Sequence, residues 1–157
     1  ELLLKILGVK EFKAKTISSL DRSDYTKPTV TERSGLVNSR VGQGKYRREL
    51  MYRWNNRCAV TGLSCTNLLI ASHIVPWSES TDEERLDVNN GLLLSPVYDA
   101  LFDQNLISFN HNGSIILSNS ISKEDYVKIG IIGSETIDGL NEGNLKYLKR
   151  HRKKIVK

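Results

Sequence analysis

The sequence predicts an α+β domain built on a strand, loop, strand and helix, and three observations carry that prediction. A mostly apolar run at 67–75 is short enough for a strand and is stopped by Pro76. Gly91 to Leu94 makes a second extended run. Ser95-Pro96 then combines a helix N-cap with proline at the first helical position, opening a helix that runs to about Asp103.

The other elements follow in chain order. Residues 2–7 read as the tail of a helix ended by Gly8, and 13–44 as a polar, irregular arm. From 45 to 56, Tyr46, Leu50 and Trp54 recur every four residues, with Arg47 and Arg48 off their face, as in an amphipathic helix. The segment between the two core strands is an acidic loop. Apolar runs at 106–109 and 114–117 flank Asn112-Gly113, a hairpin signal for a second small sheet. The glycine-punctuated stretch 128–143 has no clear assignment, and the chain closes on a basic helix anchored by Leu145 and Leu148. This divides the chain into an arm, 1–44, and a domain, 45–157, with its core at about 57–118.

At 157 residues the domain can bury a core without disulfides or a metal as props. Cys58 and Cys65 are too few for a disulfide framework, and neither a secretory signal nor an apolar membrane span is visible. A cytoplasmic location is therefore expected, with no membrane partner. Because residue 1 is Glu and an apolar run follows at once, a longer parent chain with further domains is expected.

The net charge of +5 is unevenly distributed. Residues 72–110 hold seven Asp and Glu against one Arg, which leaves a net +11 on the rest. An acidic, metal-binding island in a basic body suits a polyanionic substrate, since the body attracts phosphate and a cation on the island lets it approach.

Within the island, His73 is the candidate general base, because phosphodiester hydrolysis needs water deprotonated near neutral pH and imidazole titrates there. Asp99 and Asp103 lie one helical turn apart, so both carboxylates face one side and can grip one cation. Their hard oxygens favour magnesium or manganese. Asp103 has a second reading, as a brace for the next turn. Asn90, before Gly91 in a tight turn, is expected to fix the loop and orient His73. Ser72 points to the opposite strand face from His73 and is a weak ligand candidate, needing a bend to reach the metal. For substrate phosphates the candidates are Arg85, Arg47, Arg48, Lys149, Arg150 and Arg152. Arg85 has an alternative use in pairing with Asp82 or Glu84, and a solvated charged face is the alternative for the C-terminal helix. Trp77 reads as packing under the histidine loop.

These residues resemble the HNH endonuclease superfamily, in particular a restriction-type subgroup. The matching segments are Ser72-His73-Ile74-Val75-Pro76-Trp77, Glu84-Arg85-Leu86, Asn90-Gly91-Leu92-Leu93-Leu94-Ser95-Pro96 and Asp99-Ala100-Leu101-Phe102-Asp103, with looser likeness at 41–47 and 57–62. The resemblance implies a ββα-metal core, His73 as base, Asn90 as the loop asparagine and Asp99 in place of the family's last histidine. It also implies one divalent cation and double-stranded DNA as substrate, cut to 5′-phosphate and 3′-hydroxyl ends, in bacterial restriction or defence. Ser72 stands where many members have a metal-binding Asp. Where zinc-stapled members carry two C-x-x-C pairs, this chain has Cys58 with Thr61 and Ser95 with Tyr98, so no structural zinc is expected. A double-strand break would need a homodimer or two successive nicks. Two other readings stand beside this one: a non-catalytic DNA-binding module with the same fold, and a toxin-like nuclease acting on RNA.

Overall fold

The structure is a computed structural model, and it describes residues 43–156. The expected helix at 2–7 and the arm up to residue 42 lie outside the described residues. Helix α1 covers 43–53, so residues 43 and 44, read as the end of the arm, are already helical. Its period works as expected: Tyr46 and Leu50, with Trp54 just past the helix, are buried. Asn55 and Asn56 end it in the left-handed region, at φ 51° and 53°, which asparagine tolerates better than most side chains.

Strand β1, Ile70–His73, pairs antiparallel with β2, Gly91–Leu94, in the register Ile70 with Leu94 through His73 with Gly91. β1 is shorter than the apolar run because residues 66–68 turn as a 3-10 helix instead. Helix α2, Asp82–Leu86, lies inside the segment read as an acidic loop. Thr81 and Glu84 form a capping box there, a Thr-x-x-Glu signal that the charge pattern had hidden. Helix α3, Pro96–Asp103, begins at Ser95 as expected, although the Ser95 side chain makes no capping hydrogen bond.

The β1–β2 ribbon lies between two helices. Gly91 faces α1 so closely that a Cβ there would sit 2.1 Å from the Tyr46 hydroxyl and 2.8 Å from Leu50 Cδ1. By strand alternation His73, the cross-strand partner of Gly91, shares this face, and Ser72 and Leu92 share the other, toward α3. All four residues of β2 are buried.

The expected hairpin forms as β3, Ile107–Phe109, and β4, Ile115–Leu117, with Gly113 at φ 84° in its turn. Helix α4, Lys123–Lys128, capped by Ser122, precedes the glycine-rich stretch, and that stretch joins the hairpin through a Ser114–Thr136 bridge. Helix α5, Glu142–Arg152, starts with a capping box between Asn141 and Asn144. Its anchors differ from expectation: Asn144, Tyr147, Leu148 and His151 are buried, whereas Leu145 is half-buried. No helix among the described residues is long and apolar enough to cross a membrane.

His151 pins α5 to the core. Its ring stacks on Phe102 of α3 at 3.9 Å, its Nε2–H donates to the Phe102 carbonyl at 3.0 Å, and Nδ1 accepts from Ser108 Oγ of β3 at 2.9 Å. Burial depresses its pKa to about 4, with Lys154 and Arg152 acting the same way, against the Phe102 bond and Asp103. The unfolded imidazole binds its proton near pH 6.5, so between about pH 4 and 6.5 the unfolded state holds more protons. Stability is therefore expected to rise with pH across that window, by at most about 1.4 kcal/mol per pH unit from this group. Denaturant unfolding at a series of pH values should show a shallower rise for His151→Gln than for the parent chain. Gly91→Ala should lower stability by about 1–3 kcal/mol through overpacking against Tyr46 and Leu50, read in the same assay.

Candidate active site

His73 closes β1 on the α1 face. Its imidazole stacks on the Tyr46 ring, with centroids 4.3 Å apart and planes 7° from parallel, and meets the edge of Trp77 at 5.7 Å. Its Nε2 lies 2.9 Å from the carbonyl oxygen of Arg85. A carbonyl only accepts, so Nε2 carries the hydrogen and Nδ1 keeps its lone pair. Burial lowers the pKa of His73, with the Arg85 bond opposing it, which favours the neutral ring. The arrangement supplies a fixed tautomer whose Nδ1 can accept a proton.

The Arg85 carbonyl is in turn held by the loop around Asn90. This side chain is completely buried. Its Oδ1 accepts from the Val75 N–H at 2.8 Å, and its Nδ2 donates to the Glu84 carbonyl at 3.0 Å and to Ser80 Oγ at 3.3 Å. Asn90 does not touch His73: it fixes the residue next to Arg85. Its backbone carbonyl accepts from Ile74 N–H at 3.1 Å and from the Tyr46 hydroxyl at 2.9 Å. Tyr46 thus bridges the two, its ring on His73 and its hydroxyl on Asn90. Burial holds the phenol far above its ordinary pKa, so it stays a donor. The sequence showed Tyr46 only as one member of an apolar face, and its alignment with the Asn90 carbonyl depends on packing across 44 positions.

Ser72, Asp99 and Asp103 occupy the opposite side of β1. Ser72 is buried against α3, and its hydroxyl interacts with the Asp99 carboxylate. The expected bend in β1 is unnecessary, because the face to which regular alternation sends Ser72 is the one that carries Asp99. Burial raises the Asp99 pKa, the Ser72 hydroxyl lowers it, and the charge of Asp103 raises it again. Asp103 is exposed at the end of α3. Among the described residues, no three His, Cys, Asp or Glu side chains come together as a metal-binding group. A cation here would rest on two carboxylates, a hydroxyl and solvent. That donor set is all oxygen, and an adjacent carboxylate pair with one member half-buried gains from a cation, so it fits a hard divalent ion.

Much of the rest of the acidic island is engaged within the fold. Glu79, Glu84 and Asp87 are taken up by α5: Lys154 pairs with Glu79 at 2.5 Å, Arg150 with Glu84 at 2.7 Å, and the Tyr147 hydroxyl donates to Asp87 at 2.8 Å. Asn144 Nδ2 adds a bond to the Asn89 carbonyl at 2.8 Å. Several of the expected phosphate ligands are therefore engaged within the fold. Arg150 also donates to the Glu79 carbonyl at 3.1 Å, and Arg152 donates to the Phe109 carbonyl at 2.8 Å. Arg47 donates to the carbonyls of Leu69 and Thr66. Arg85 pairs with Asp82 at 2.7 Å, lies over the Trp77 ring and donates to the Trp77 carbonyl, the alternative use that its position had left open. Arg48 and Lys149 are exposed.

Cys58 Sγ accepts from the Ser95 N–H at 3.3 Å and the Thr61 N–H at 3.5 Å. Burial alone would push its thiol pKa up, but the hydrogen bonds from Thr61, Val60 and Ser95 outweigh it and lower the pKa. Tyr98, pushed up to about 12 by burial and then by Glu135 and Cys58, completes the group. One sulfur with two hydroxyls and a phenol is not a structural zinc set. Cys65 is exposed.

None of the curated proteins matches this chain. Residues 58–110, about a third of the chain, match the family model described as HNH endonuclease, and they span both strands of the ribbon, the loop between them, the carboxylate helix and β3.

Proposed function

We propose that this chain is a divalent-metal-dependent endonuclease that hydrolyses DNA phosphodiester bonds and leaves 5′-phosphate and 3′-hydroxyl ends. The observation that carries the reading is the His73 tautomer: Nε2–H tied to the Arg85 carbonyl, Nδ1 left as acceptor, one residue along the strand from Ser72 beside Asp99. His73 takes the proton of the attacking water on Nδ1, and the Arg85 carbonyl stabilises the imidazolium that results. Tyr46 and Trp77 fix the ring plane, so the lone pair does not wander between substrates. Asp99 and Asp103, with Ser72, would hold the cation, magnesium or manganese by their donor type. When bound, that cation supplies charge stabilisation to the phosphate and the leaving 3′ oxygen. An in-line displacement needs its base and its leaving-group stabiliser on opposite sides of phosphorus. His73 and Ser72 are adjacent at the end of β1, so the proposed base and the proposed cation ligands lie at the same end of the strand.

The basic charge outside residues 72–110 supports a nucleic-acid substrate. The resemblance in the site residues suggests double-stranded DNA, a bacterial cytoplasm and a role in restriction or defence. Each domain cuts one strand, so a double-strand break takes two copies or two events.

Incubation with plasmid DNA and magnesium or manganese should give nicked and linear products, and EDTA should abolish them. His73→Ala should lower the cleavage rate by about 10²–10⁴-fold while DNA binding persists. Asp99→Asn should demand a higher metal concentration for the same rate. Cleavage unchanged in His73→Ala would remove His73 from the mechanism, DNA binding without cleavage under any metal would favour the non-catalytic module, and cleavage of RNA alone would replace DNA as the substrate. Tyr46→Phe keeps the ring stack and loses the bond to Asn90. Its kcat should fall by about 10- to 100-fold, as for other groups that orient a catalytic side chain, with KM little changed.

A further inference from the structure

The outer side of α1 carries a feature that the hydrolytic site does not use. Tyr52 is 86% exposed, far more than the ring needs for helix packing. It stands on a ridge between two concavities. The larger, about 660 Å³, is lined by Tyr52 with Arg48, Glu49, Arg53, Asn55 and Val88. The smaller, about 330 Å³, is lined by Tyr52 with Arg48, Met51 and Asn56 among others. Both volumes lie in the range of about 300–1,000 Å³ that suits small planar ligands. Arg48 and Tyr52 are one helical turn apart and belong to both walls. Of the two left-handed asparagines that end α1, Asn55 lines the larger hollow and Asn56 the smaller.

Charge decides what kind of partner fits this face. Residues 45–57 carry Lys45, Arg47, Arg48, Arg53 and Arg57 against Glu49 alone, and Glu49 is offset by Lys45 at 3.7 Å. Arg53, held by the Gly139 carbonyl at 2.8 Å, keeps a fixed positive charge on the larger hollow. An exposed aromatic ring between basic residues and amides is the chemistry that binds an unpaired nucleotide: the ring stacks the base, the guanidinium meets phosphate, and amides reach base edges. A base inside a duplex cannot offer its face to such a ring. Val88, on the wall of the larger hollow, opens the short helical turn that ends in Asn90.

We propose that this face of α1 binds a single-stranded segment of nucleic acid, with a base stacked on Tyr52 and a phosphate on Arg48, beside the hydrolytic site. The assignment rests on the nuclease reading, and it adds a preference for substrate with an unpaired or splayed nucleotide near the cut. The test uses the full 157-residue chain in EDTA, with fluorescence anisotropy of a labelled single-stranded oligonucleotide and of its duplex across a salt series. Tyr52→Ala should weaken single-strand binding by about tenfold, within the usual range for one stacked base, and duplex binding by less. Tyr52→Phe should restore it. Arg48→Ala should lower the slope of log affinity against log salt by about 0.7 for single strand. Single-strand affinity and salt slope unchanged in both variants, with the parent chain binding and cleaving normally, would overturn the assignment and leave the nuclease reading standing. A parent chain that neither binds nor cleaves nucleic acid would overturn both. Loss on Tyr52→Ala that Phe fails to restore would overturn the stacking role.

Discussion

A primary amide with no access to solvent must find partners inside the protein, and the satisfaction of Asn90 organises this domain. Its side chain draws Val75, Ser80 and Glu84 to one point, and its carbonyl draws Tyr46 and Ile74. Removing those bonds would leave several buried polar groups unpaired at once, each costing about 1–3 kcal/mol. The loop between β1 and β2 therefore has one low-energy conformation, and the Arg85 carbonyl that fixes the imidazole belongs to it.

Helix α5 supports the same loop from outside. Its cations and Tyr147 meet the acidic residues of the 79–87 segment, and His151 anchors its far end to α3 and β3. A charge count sees an acidic island and a basic tail as two surfaces, each available to a partner. Folded together, α5 takes up Glu79, Glu84 and Asp87, and Arg85 takes Asp82, whereas neither Asp99 nor Asp103 has an ion pair among the described residues.

What the sequence disclosed depended on how local each signal was. The two strands, α1, α3 and the Asn-Gly hairpin are written in short periods and turn residues, and they could be read directly. The Thr-x-x-Glu capping box of α2 sits inside a run of acidic residues whose charge reads as a solvated loop. The buried Asn144 and His151 were unreadable as anchors, since their residue types look like surface until a partner 49 or 55 positions away is known. The same holds for Tyr46, and for Arg150, whose partner Glu84 is 66 residues away. The side chains proposed to carry the chemistry are marked by type and spacing. Those that hold them in place are not, because positioning is a matter of tertiary contact.

The ribbon of β1 and β2 has a consequence for how this domain tolerates change. A strand alternates its faces with a period of two, so the position of His73 toward Tyr46 and that of Ser72 toward Asp99 are a single fact of register. Inserting or deleting one residue in β1 would turn the imidazole toward Asp99 and the hydroxyl toward the tyrosine ring, inverting both halves together. Point substitutions can tune either side independently, but length variation is closed to this strand. Insertions in related chains should therefore collect beyond its ends, in the turn at 66–68 or in the loop outside the reach of Asn90.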